Sequence, residues 1–356
     1  MIKEAIQLLV ERRDLSFENA QQSMREIMEG EATTAQVGAF LTGLRMKGET
    51  VDEITAFAIT MREHSVRINP HVHGRIVDTC GTGGDLVKTF NVSTAAAFVS
   101  CGGGVTVAKH GNRSVTSKCG SADVLETMGV NLNADPATVE RAIEQIGIGF
   151  MFAPTFHPAM KNAILPRREI GIRTVFNMLG PLTNPANANA QVLGVYDQKL
   201  VEPIAKVLRN LGLEEALVVH GIDGLDEISI TGPTKSGWLK EGSITTRTIL
   251  PKDIKLEAAR VNEIAAYDAP RSARIMVDIL NGAEKKNSAR RQMVLANAAA
   301  AFLVGGKVDD LLSGVELGNQ VIESGNAYEK LRELIRHTDG DESKLDRMEA
   351  LNDRLS

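Results

Sequence analysis

Aromatic residues and cysteine are both scarce in this sequence. Its 356 residues include 10 Phe, 3 Tyr and 1 Trp, which argues against a base-stacking platform or an aromatic carbohydrate cleft as a main feature. The three cysteines, Cys80, Cys101 and Cys119, lie far apart, with no Cys-x-x-Cys pair and no histidine at zinc spacing. This odd, sparse count argues against a disulfide framework and favours a reducing compartment.

The sequence also lacks an excess of one charge and a long apolar run. Its 40 basic and 45 acidic residues give a formal charge of −5, whereas a nucleic-acid binder usually carries a basic domain or face. The longest weakly polar stretch, 94–108, is interrupted by glycines at 102–104 and is shorter than the roughly 20 apolar residues of a membrane span. Glu4 and Glu11 bracket the first apolar run, which indicates an amphipathic helix and not a signal peptide. We predict a cytoplasmic protein with neither a nucleic-acid nor a membrane partner.

The length of the chain predicts about two domains, and the hydrophobic pattern changes once along it. Residues 1 to about 68 carry apolar residues at helical spacing in four segments. Asn69-Pro70 then ends this pattern. We predict a small all-helical domain over 1–70 and a larger domain over 71–356, with helices near 160–185 packing against the first domain.

Short β-branched runs alternate with helical segments from residue 75 onward. The strand candidates are 75–78, 105–108, 149–153, 191–196 and 215–220. This alternation predicts an α/β domain with a mostly parallel β-sheet flanked by helices on both faces. One continuous helix is predicted over 157–168, and 238–250 is compatible with an extended segment because it lacks helical periodicity. The last twenty residues are highly charged, which is typical of a peripheral helix or a frayed tail.

Glycine, hydroxyl, amide and charged residues follow four of these strands. Because parallel sheets bind ligands beyond the carboxyl ends of their strands, we expect these residues to meet at one edge. The first such loop, Gly81-Thr-Gly-Gly-Asp85, can bring bare N–H groups close to an anion. It leads to Asn91-Val-Ser-Thr94 at the start of an Ala-rich helix, where phosphate is favoured. A flexible turn followed by an ordinary helix cap explains the same residues.

Two better-known phosphate motifs are absent from this loop. Both the Walker A motif and Gly-x-Gly-x-x-Gly require glycine at the sixth position counted from Gly81, where the chain has Leu86. Kinase and dehydrogenase functions therefore lose their main support.

Three further polar groups have both a structural and a functional explanation. Lys109-His-Gly-Asn-Arg113 is either a solvated turn or the source of a phosphate-binding cation and an amide. Asp226-Glu227 is either a solvated pair or a Mg²⁺ site, since Mg²⁺ favours one or two carboxylates beside substrate phosphates. Arg167 and Arg168 are either surface residues or a clamp for a planar carboxylate.

The order of these motifs is more specific than any one of them. In that order the chain resembles the anthranilate phosphoribosyltransferase family, and Ile170 and Thr116 stand where the family often has Leu and Ser. The resemblance covers nearly the whole chain and is carried by Asp78–Asp85, Asn91–Thr94, Lys109–Arg113, Gly120–Glu126, His157–Met160, Arg167–Thr174, Asn177–Pro185 and His220–Glu227.

The resemblance implies a nucleoside phosphorylase/phosphoribosyltransferase-like fold and the transfer of a 5-phosphoribosyl group to anthranilate in tryptophan biosynthesis. It implies that 5-phosphoribosyl 1-diphosphate is held by Gly81, Gly84, Asp85, Thr89, Asn91, Val92, Ser93, Thr94, Lys109, His110, Gly111, Asn112, Arg113, Ser114, Val115, Thr116, Ser117 and Ser121. Anthranilate is assigned to Gly81, Asn112 and Arg167, and about two Mg²⁺ ions to Ser93, Asp226 and Glu227.

The same resemblance implies roles and an assembly. Lys109 and His110 are the implied catalytic residues, and they act mainly through charge and position. The loop 109–117 is expected to fold over the diphosphate. The active site is expected in the cleft between the two domains of a homodimer joined through its N-terminal helices.

Two other functions stay open on the sequence alone. A pyrimidine nucleoside phosphorylase resembles this chain in fold and also acts at a sugar C1 with phosphate. That family is expected to show a longer glycine loop and a different basic segment in place of 109–112. A nucleic-acid-binding relative without activity is expected to have a basic surface and degraded motifs, and this chain has neither.

Overall fold

The computed structural model describes residues 1–84, 89–114, 119–266 and 268–350. Its N-terminal part confirms the four predicted helices, which are α1 (Ile2–Val10), α2 (Phe17–Glu29), α3 (Thr34–Lys47) and α4 (Val51–Glu63). Local capping sets their ends. The hydroxyl of Ser16 accepts the N–H of Asn19, and Gly30 ends α2 with a φ of 78°. Thr33 and Thr50 form capping boxes at the starts of α3 and α4.

A single sheet organises the rest of the described chain. Its strands are β1 (Ile76–Gly81), β2 (Thr106–Gly111), β3 (Ile148–Phe152), β4 (Ala190–Gly194), β5 (Glu215–Gly221), β6 (Thr234–Lys240) and β7 (Ser243–Ile249). The order across the sheet is β3-β2-β1-β4-β5-β6-β7. The first five strands are parallel, and β6 and β7 are joined antiparallel. The predicted mostly parallel sheet is confirmed, and the segment 238–250 contains β7.

Helices connect and cover these strands. They are α5 (Val92–Gly102), α6 (Ser121–Met128), α7 (Pro136–Ile146), α8 (Ala153–Phe156), α9 (Lys161–Ile170), α10 (Phe176–Leu182), α11 (Val201–Asn210), α12 (Val261–Ile264), α13 (Ala269–Leu280), α14 (Ala289–Val304), α15 (Leu311–Glu323), α16 (Asn326–His337) and α17 (Glu342–Ala350). The charged C-terminal segment thus contains a peripheral helix, α17. No helix in the four described ranges has the length and apolarity needed to cross a membrane.

Two apolar cores lie on opposite faces of the sheet, because successive side chains of a strand point to opposite faces. On β5, Leu217 and Val219 belong to the core formed with α5, α6 and α13–α16. Ala216 and Val218 belong to the core formed with α11 and the N-terminal helices. In that second core α9 packs on α2 and α3, and α10 packs on α4. The N-terminal helices and the sheet therefore share one continuous core.

The helix predicted over 157–168 is confirmed from Lys161 onward, but not over its first four residues. The chain instead forms α8, a 3₁₀ turn over Pro158–Met160, and α9. His157 precedes proline and has φ −125° and ψ 63°, outside the helical region. The ring of a proline disfavours helical dihedrals at the preceding residue, so α8 ends before His157 and does not continue into α9.

Candidate active site

A cleft of about 380 Å³ lies beyond the carboxyl ends of β1 and β2, beside the loop after β5 and next to α9 and α10. The assigned residues that line it are Gly81, Gly84, Thr89, Asn91, Ser93, Lys109, His110, Gly111, Asn112, Arg113, Ser114, Ser121, Arg167, Asp226 and Glu227. Asp85, Val115, Thr116 and Ser117 lie outside the described residues. The structure therefore brings the glycine turn, the basic segment and the acidic pair to one cleft.

The glycine turn contacts the acidic pair directly. Gly83 and Gly84 have φ of 67° and 79°, a left-handed conformation that other L-residues rarely adopt. The N–H of Gly83 donates to Oδ2 of Asp226 at 2.7 Å. A Cβ at Gly81 would lie 2.2 Å from that same oxygen. The turn needs glycine both for its dihedrals and for the close approach of a carboxylate.

Lys109 lies on a strand and not, as predicted, at the start of a loop. The ladder between β2 and β3 pairs it with Phe150, so β2 continues to Gly111. The Lys109 side chain is buried; its Nζ donates to the carbonyl of Thr79 and lies 3.3 Å from Oγ of Ser93. Burial lowers the pKa of Lys109. An amine and a hydroxyl thus lie side by side in the wall of the cleft.

Asp78 is a fully buried carboxylate that fixes the end of β2. Its Oδ1 accepts the N–H of His110 at 3.2 Å, and its Oδ2 accepts from Nδ2 of Asn184 at 2.8 Å. The same Asn184 amide donates to the carbonyl of Ala108. Burial raises the pKa of Asp78, and the nearby Lys109 opposes that shift. The carboxylate therefore connects three segments beneath the cleft.

His110 and His157 form a buried pair of rings. Their centroids are 4.9 Å apart at an angle of 49°. Burial, together with the neighbouring His157, lowers the pKa of His110 to about 3, and burial lowers that of His157 to about 4. Both rings are therefore neutral near pH 7. Neither Nε2 atom has a hydrogen-bond partner among the described residues.

The start of α5 presents alternate residues to the cleft. Ser93 donates its N–H to Oε1 of Glu227 at 3.3 Å. Oδ1 of Asn91 accepts from Sγ of Cys119 at 3.1 Å and does not cap the helix. Val92 and Thr94, which were also assigned to the phosphoribosyl donor, are buried and do not line the cleft.

Arg113 and Ser121 lie on the part of the wall that continues from β2 to α6. The Arg113 guanidinium is ion-paired with Asp123 and Glu126 of α6, at 3.0 and 2.8 Å. Ser121 Oγ donates to the carbonyl of Asn112 at 3.4 Å. These contacts tie the segment after β2 to the start of α6.

Two arginines from the α9 region border the cleft. Arg167 is mostly buried, which lowers its pKa, and its Cζ lies 5.1 Å from the ring centroid of Phe176. Its neighbour Arg168 is exposed and does not line the cleft. Arg173 donates to the carbonyl of Gly84 and lies over the ring of Tyr196 at 4.6 Å. Arg167 and Arg173 thus place positive charge beside an aromatic wall.

The side chains around Asp226 suit Mg²⁺ better than a metal that needs many protein ligands. The described residues contain no group of three or more His, Cys, Asp or Glu that could hold a metal. Asp226 and Glu227 instead offer two carboxylates in reach of the glycine turn and of Ser93. Mg²⁺ keeps several waters and uses one or two carboxylates plus substrate phosphates. The residues present fit such an ion.

Several lining residues had no assigned role in the sequence. They are Cys80, Thr82, Gly83, Phe90, Cys119, Gly120, Ala153, Arg173, Phe176, Asn177, Gly180 and Pro181. All of them except Phe90, Cys119, Ala153 and Phe176 lie within the family-like segments, so the resemblance could have pointed to them. Burial raises the pKa of the Cys119 thiol to about 11 and that of Cys80 well above its usual value, so neither is a thiolate nucleophile near pH 7.

Comparisons with known proteins show the family of this chain. Residues 73–328 match the family model described as glycosyl transferase family, a/b domain, and residues 3–65 match that of its helical bundle domain. The chain is 50% identical to the anthranilate phosphoribosyltransferase of Persephonella marina over 340 residues, covering 96% of this chain and all of that protein. It is 50% identical over 339 residues to that of Alkaliphilus metalliredigens, covering 94% and 98%.

Solved structures give the same result. The Thermus thermophilus anthranilate phosphoribosyltransferase superposes with a TM-score of 0.89 at 39% identity, covering 94% of this chain and 99% of that one. The Saccharomyces cerevisiae enzyme, solved in complex with PRPP and Mg, gives 0.87 at 28% identity, covering 95% and 98%. This chain belongs to the anthranilate phosphoribosyltransferase family.

Proposed function

We propose that this cleft transfers the 5-phosphoribosyl group from 5-phosphoribosyl 1-diphosphate to the amine of anthranilate, a step of tryptophan biosynthesis. The products are N-(5-phosphoribosyl)anthranilate and diphosphate. The main observation that supports this proposal is that the glycine turn, Lys109 and the Asp226–Glu227 pair line one cleft. The yeast relative solved with PRPP and Mg, and again with 4-fluoroanthranilate, supports these substrates.

The diphosphate is the group that the β1, α5 and β2 elements are proposed to hold. Its departure from C1 leaves an oxocarbenium-like sugar and concentrates negative charge on the leaving group. Ser93 and Asn91 at the start of α5 contribute polar donors, and Lys109 lies 3.3 Å from the Ser93 hydroxyl. Fixed donors aimed at developing charge stabilise a transition state without reorganising. These residues are therefore proposed to bind and orient the leaving group.

Asp226, Glu227 and Ser93 are the residues we assign to Mg²⁺, with about two ions per site. Bound Mg²⁺ would neutralise negative charge on the diphosphate. The protein's own contribution is to hold two carboxylates at the rim of the cleft, where Gly83 and Ser93 already contact them.

Anthranilate is assigned to Arg167, Asn112 and Gly81. A guanidinium is suited to a planar carboxylate because its donors form a fork. Phe176 lies under Arg167 and gives the same region an apolar surface for an aromatic ring. An aromatic amine is already a free base at neutral pH, so the attack on C1 needs orientation and no strong general base.

His110 is proposed to act through position and not through charge. Its pKa of about 3 leaves the imidazole neutral, and its backbone N–H is held by Asp78. The neutral ring lines the cleft, where it would limit the space beside a bound substrate.

A homodimer joined through the N-terminal helices is also proposed, with 1–70 and 71–356 as its two domains. Val10 on α1, Met46 on α3 and Ile164 on α9 are 70, 69 and 56% exposed. α3 packs against both α1 and α9, so these apolar side chains belong to one packed group of helices. Apolar surface of this kind marks protein interfaces when it is contiguous.

The activity is tested by following the fluorescence of anthranilate after addition of the phosphoribosyl donor, with and without Mg²⁺. We expect a Mg²⁺-dependent loss of the anthranilate signal. The Asp226→Asn, Glu227→Gln double variant should lose the response to Mg²⁺, whereas Glu316→Gln, an exposed carboxylate on α15, should keep it. Unchanged fluorescence together with phosphorolysis of thymidine would instead indicate a nucleoside phosphorylase.

A further inference from the structure

The loop that carries the acidic pair, 222–233, is held by several hydrogen bonds within itself and to the ends of its strands. Between β5 and β6 the chain turns at Gly224, whose φ is 92° and whose N–H donates to the carbonyl of Gly221. The N–H of Gly221 in turn donates to the carbonyl of Leu225, and that of Ile222 to Pro233. These bonds fix the path of the backbone on the N-terminal side of the pair.

A carboxylate joins the two sides of this loop. Oδ2 of Asp223 accepts from Oγ of Ser229 at 2.6 Å and from Oγ1 of Thr231. Asp223 precedes the pair by three residues, and Ser229 follows it by two. The Ser229 N–H is held in turn by Oγ1 of Thr234 at the start of β6. The contact therefore bridges the loop across Asp226 and Glu227.

Asp226 occupies a narrow place between two strands, so its position tolerates little movement. A Cβ at Gly194 on β4 would lie 1.5 Å from the backbone oxygen of Asp226. A Cβ at Gly81 on β1 would lie 2.2 Å from its Oδ2. A loop that shifts by a fraction of an ångström here either clashes with a strand or withdraws the carboxylate from the cleft.

We propose that Asp223 is a positioning residue for the metal-binding carboxylates: its bridge to Ser229 and Thr231 holds the loop so that Asp226 and Glu227 point into the cleft. The inference rests on the proposed function, which assigns those two carboxylates to Mg²⁺. Asp223 itself does not line the cleft. Side chains that orient metal ligands from behind typically change metal affinity about 10–100-fold when they are removed.

The test uses calorimetric titration of the full chain with inorganic diphosphate at a series of Mg²⁺ concentrations. Asp223→Asn keeps the shape of the side chain but removes its charge, and Thr231→Val removes one donor and leaves the carboxylate in place. We expect the Mg²⁺ concentration for half-maximal diphosphate binding to rise about tenfold in Asp223→Asn and less in Thr231→Val. The KM for anthranilate should stay within about twofold, since the loop is not assigned to that substrate.

The matched control is Asp310→Asn, which removes the charge of a carboxylate that caps α15 through the N–H of Ser313. It should leave the Mg²⁺ dependence unchanged. If Asp223→Asn and Thr231→Val lower the unfolding midpoint while their Mg²⁺ dependence stays at the wild-type value, the positioning role is overturned. If Glu227→Gln also keeps wild-type Mg²⁺ dependence, the metal assignment itself fails. Loss of Mg²⁺ dependence in Glu227→Gln alone leaves that assignment standing and overturns only the role of Asp223.

Discussion

The backbone N–H of Gly83 donates a 2.7 Å hydrogen bond to Oδ2 of Asp226, although the two residues are 143 positions apart. The N–H of Ser93 donates similarly to Glu227. Gly83 lies in the glycine turn after β1, and Ser93 lies at the start of α5, which is proposed to hold the diphosphate. The carboxylates therefore lie on N–H donors that we propose a phosphate oxygen also contacts.

This relationship predicts an unusual effect of removing a carboxylate. Glu227→Gln should bind inorganic diphosphate several-fold more tightly than the wild type in the absence of Mg²⁺, because a competing anion near the Ser93 N–H is gone. The same variant should gain little affinity when Mg²⁺ is added. Calorimetry with and without Mg²⁺ measures both effects. Glu316→Gln controls for the change in net charge, and equal metal-free affinities of the two variants would contradict the prediction.

Gly81→Ala should inactivate the enzyme without unfolding it. The new Cβ would lie 2.2 Å from Oδ2 of Asp226, so either the carboxylate or the end of β1 must move. A displacement of about 1 Å in a reacting group costs about 100-fold in rate. Steady-state turnover and circular dichroism measure the two properties. Gly38→Ala on α3 is the control, because its Cβ meets nothing nearer than 4.0 Å. Wild-type turnover in Gly81→Ala would show that the approach of Asp226 is not needed.

Arg167→Ala should mainly raise the KM for anthranilate. Loss of a charged hydrogen bond to a carboxylate costs about 1.5–3 kcal/mol, which corresponds to about 10- to 150-fold in KM. The KM for the phosphoribosyl donor should change much less. The exposed neighbour Arg168 provides a matched control, and Arg168→Ala should leave both constants unchanged. An unchanged KM for anthranilate in Arg167→Ala would contradict the assignment of Arg167 to the anthranilate carboxylate.

Much of this site could be predicted from the sequence because its parts follow strands. The glycine turn, Lys109 and Asp226 each come at the end of a β-branched run, and parallel strands bring such ends to one edge. The roles of Asp78 and Asn184 could not be predicted in this way. Their hydrogen bond joins positions 106 residues apart and depends on how the segment after α10 packs against β1 and β2.

Two predicted elements, the helix at His157 and strand β2, differ from the structure for local chemical reasons. The helix was predicted to begin at His157, but the restriction that Pro158 places on the preceding residue keeps His157 outside the helical region. The extent of β2 was underestimated for the opposite reason. Lysine and histidine are untypical of a buried strand. Here the ladder with β3, the bond from Nζ of Lys109 to the carbonyl of Thr79 and the bond from the His110 N–H to Asp78 keep them there.

The buried histidine pair predicts a loss of stability in acid. The pKa values of His110 and His157, about 3 and about 4, are below the ordinary value of 6.5, so the unfolded state binds more protons. The stabilising contribution is complete above about pH 6.5 and falls as the pH decreases toward 4, by at most about 1.4 kcal/mol per pH unit for each ring. The groups that face His110 are His157, Lys109 and the Asp78 carboxylate.

Urea unfolding at pH 7.5, 6.0 and 5.0 measures this dependence. His157→Asn should reduce the slope of unfolding free energy against pH, whatever its effect on absolute stability. His71→Asn, at an exposed position, should leave the slope unchanged. Equal slopes for the wild type and His157→Asn would show that the pair does not determine the acid sensitivity.

The exposed apolar residues of the N-terminal helices predict where the proposed homodimer would be joined. Met46→Glu places a charge on α3 at a side chain that is 69% exposed in the single chain. If that side chain is buried between two copies, an unpaired carboxylate there costs several kcal/mol and should shift the dimer toward monomer. Sedimentation velocity at low micromolar concentration measures the shift. Val261→Glu on α12, another exposed apolar position, should sediment as the wild type. A wild type that is monomeric would overturn the homodimer. A Met46→Glu variant that stays dimeric would place the interface elsewhere, because an unpaired buried carboxylate opposes association.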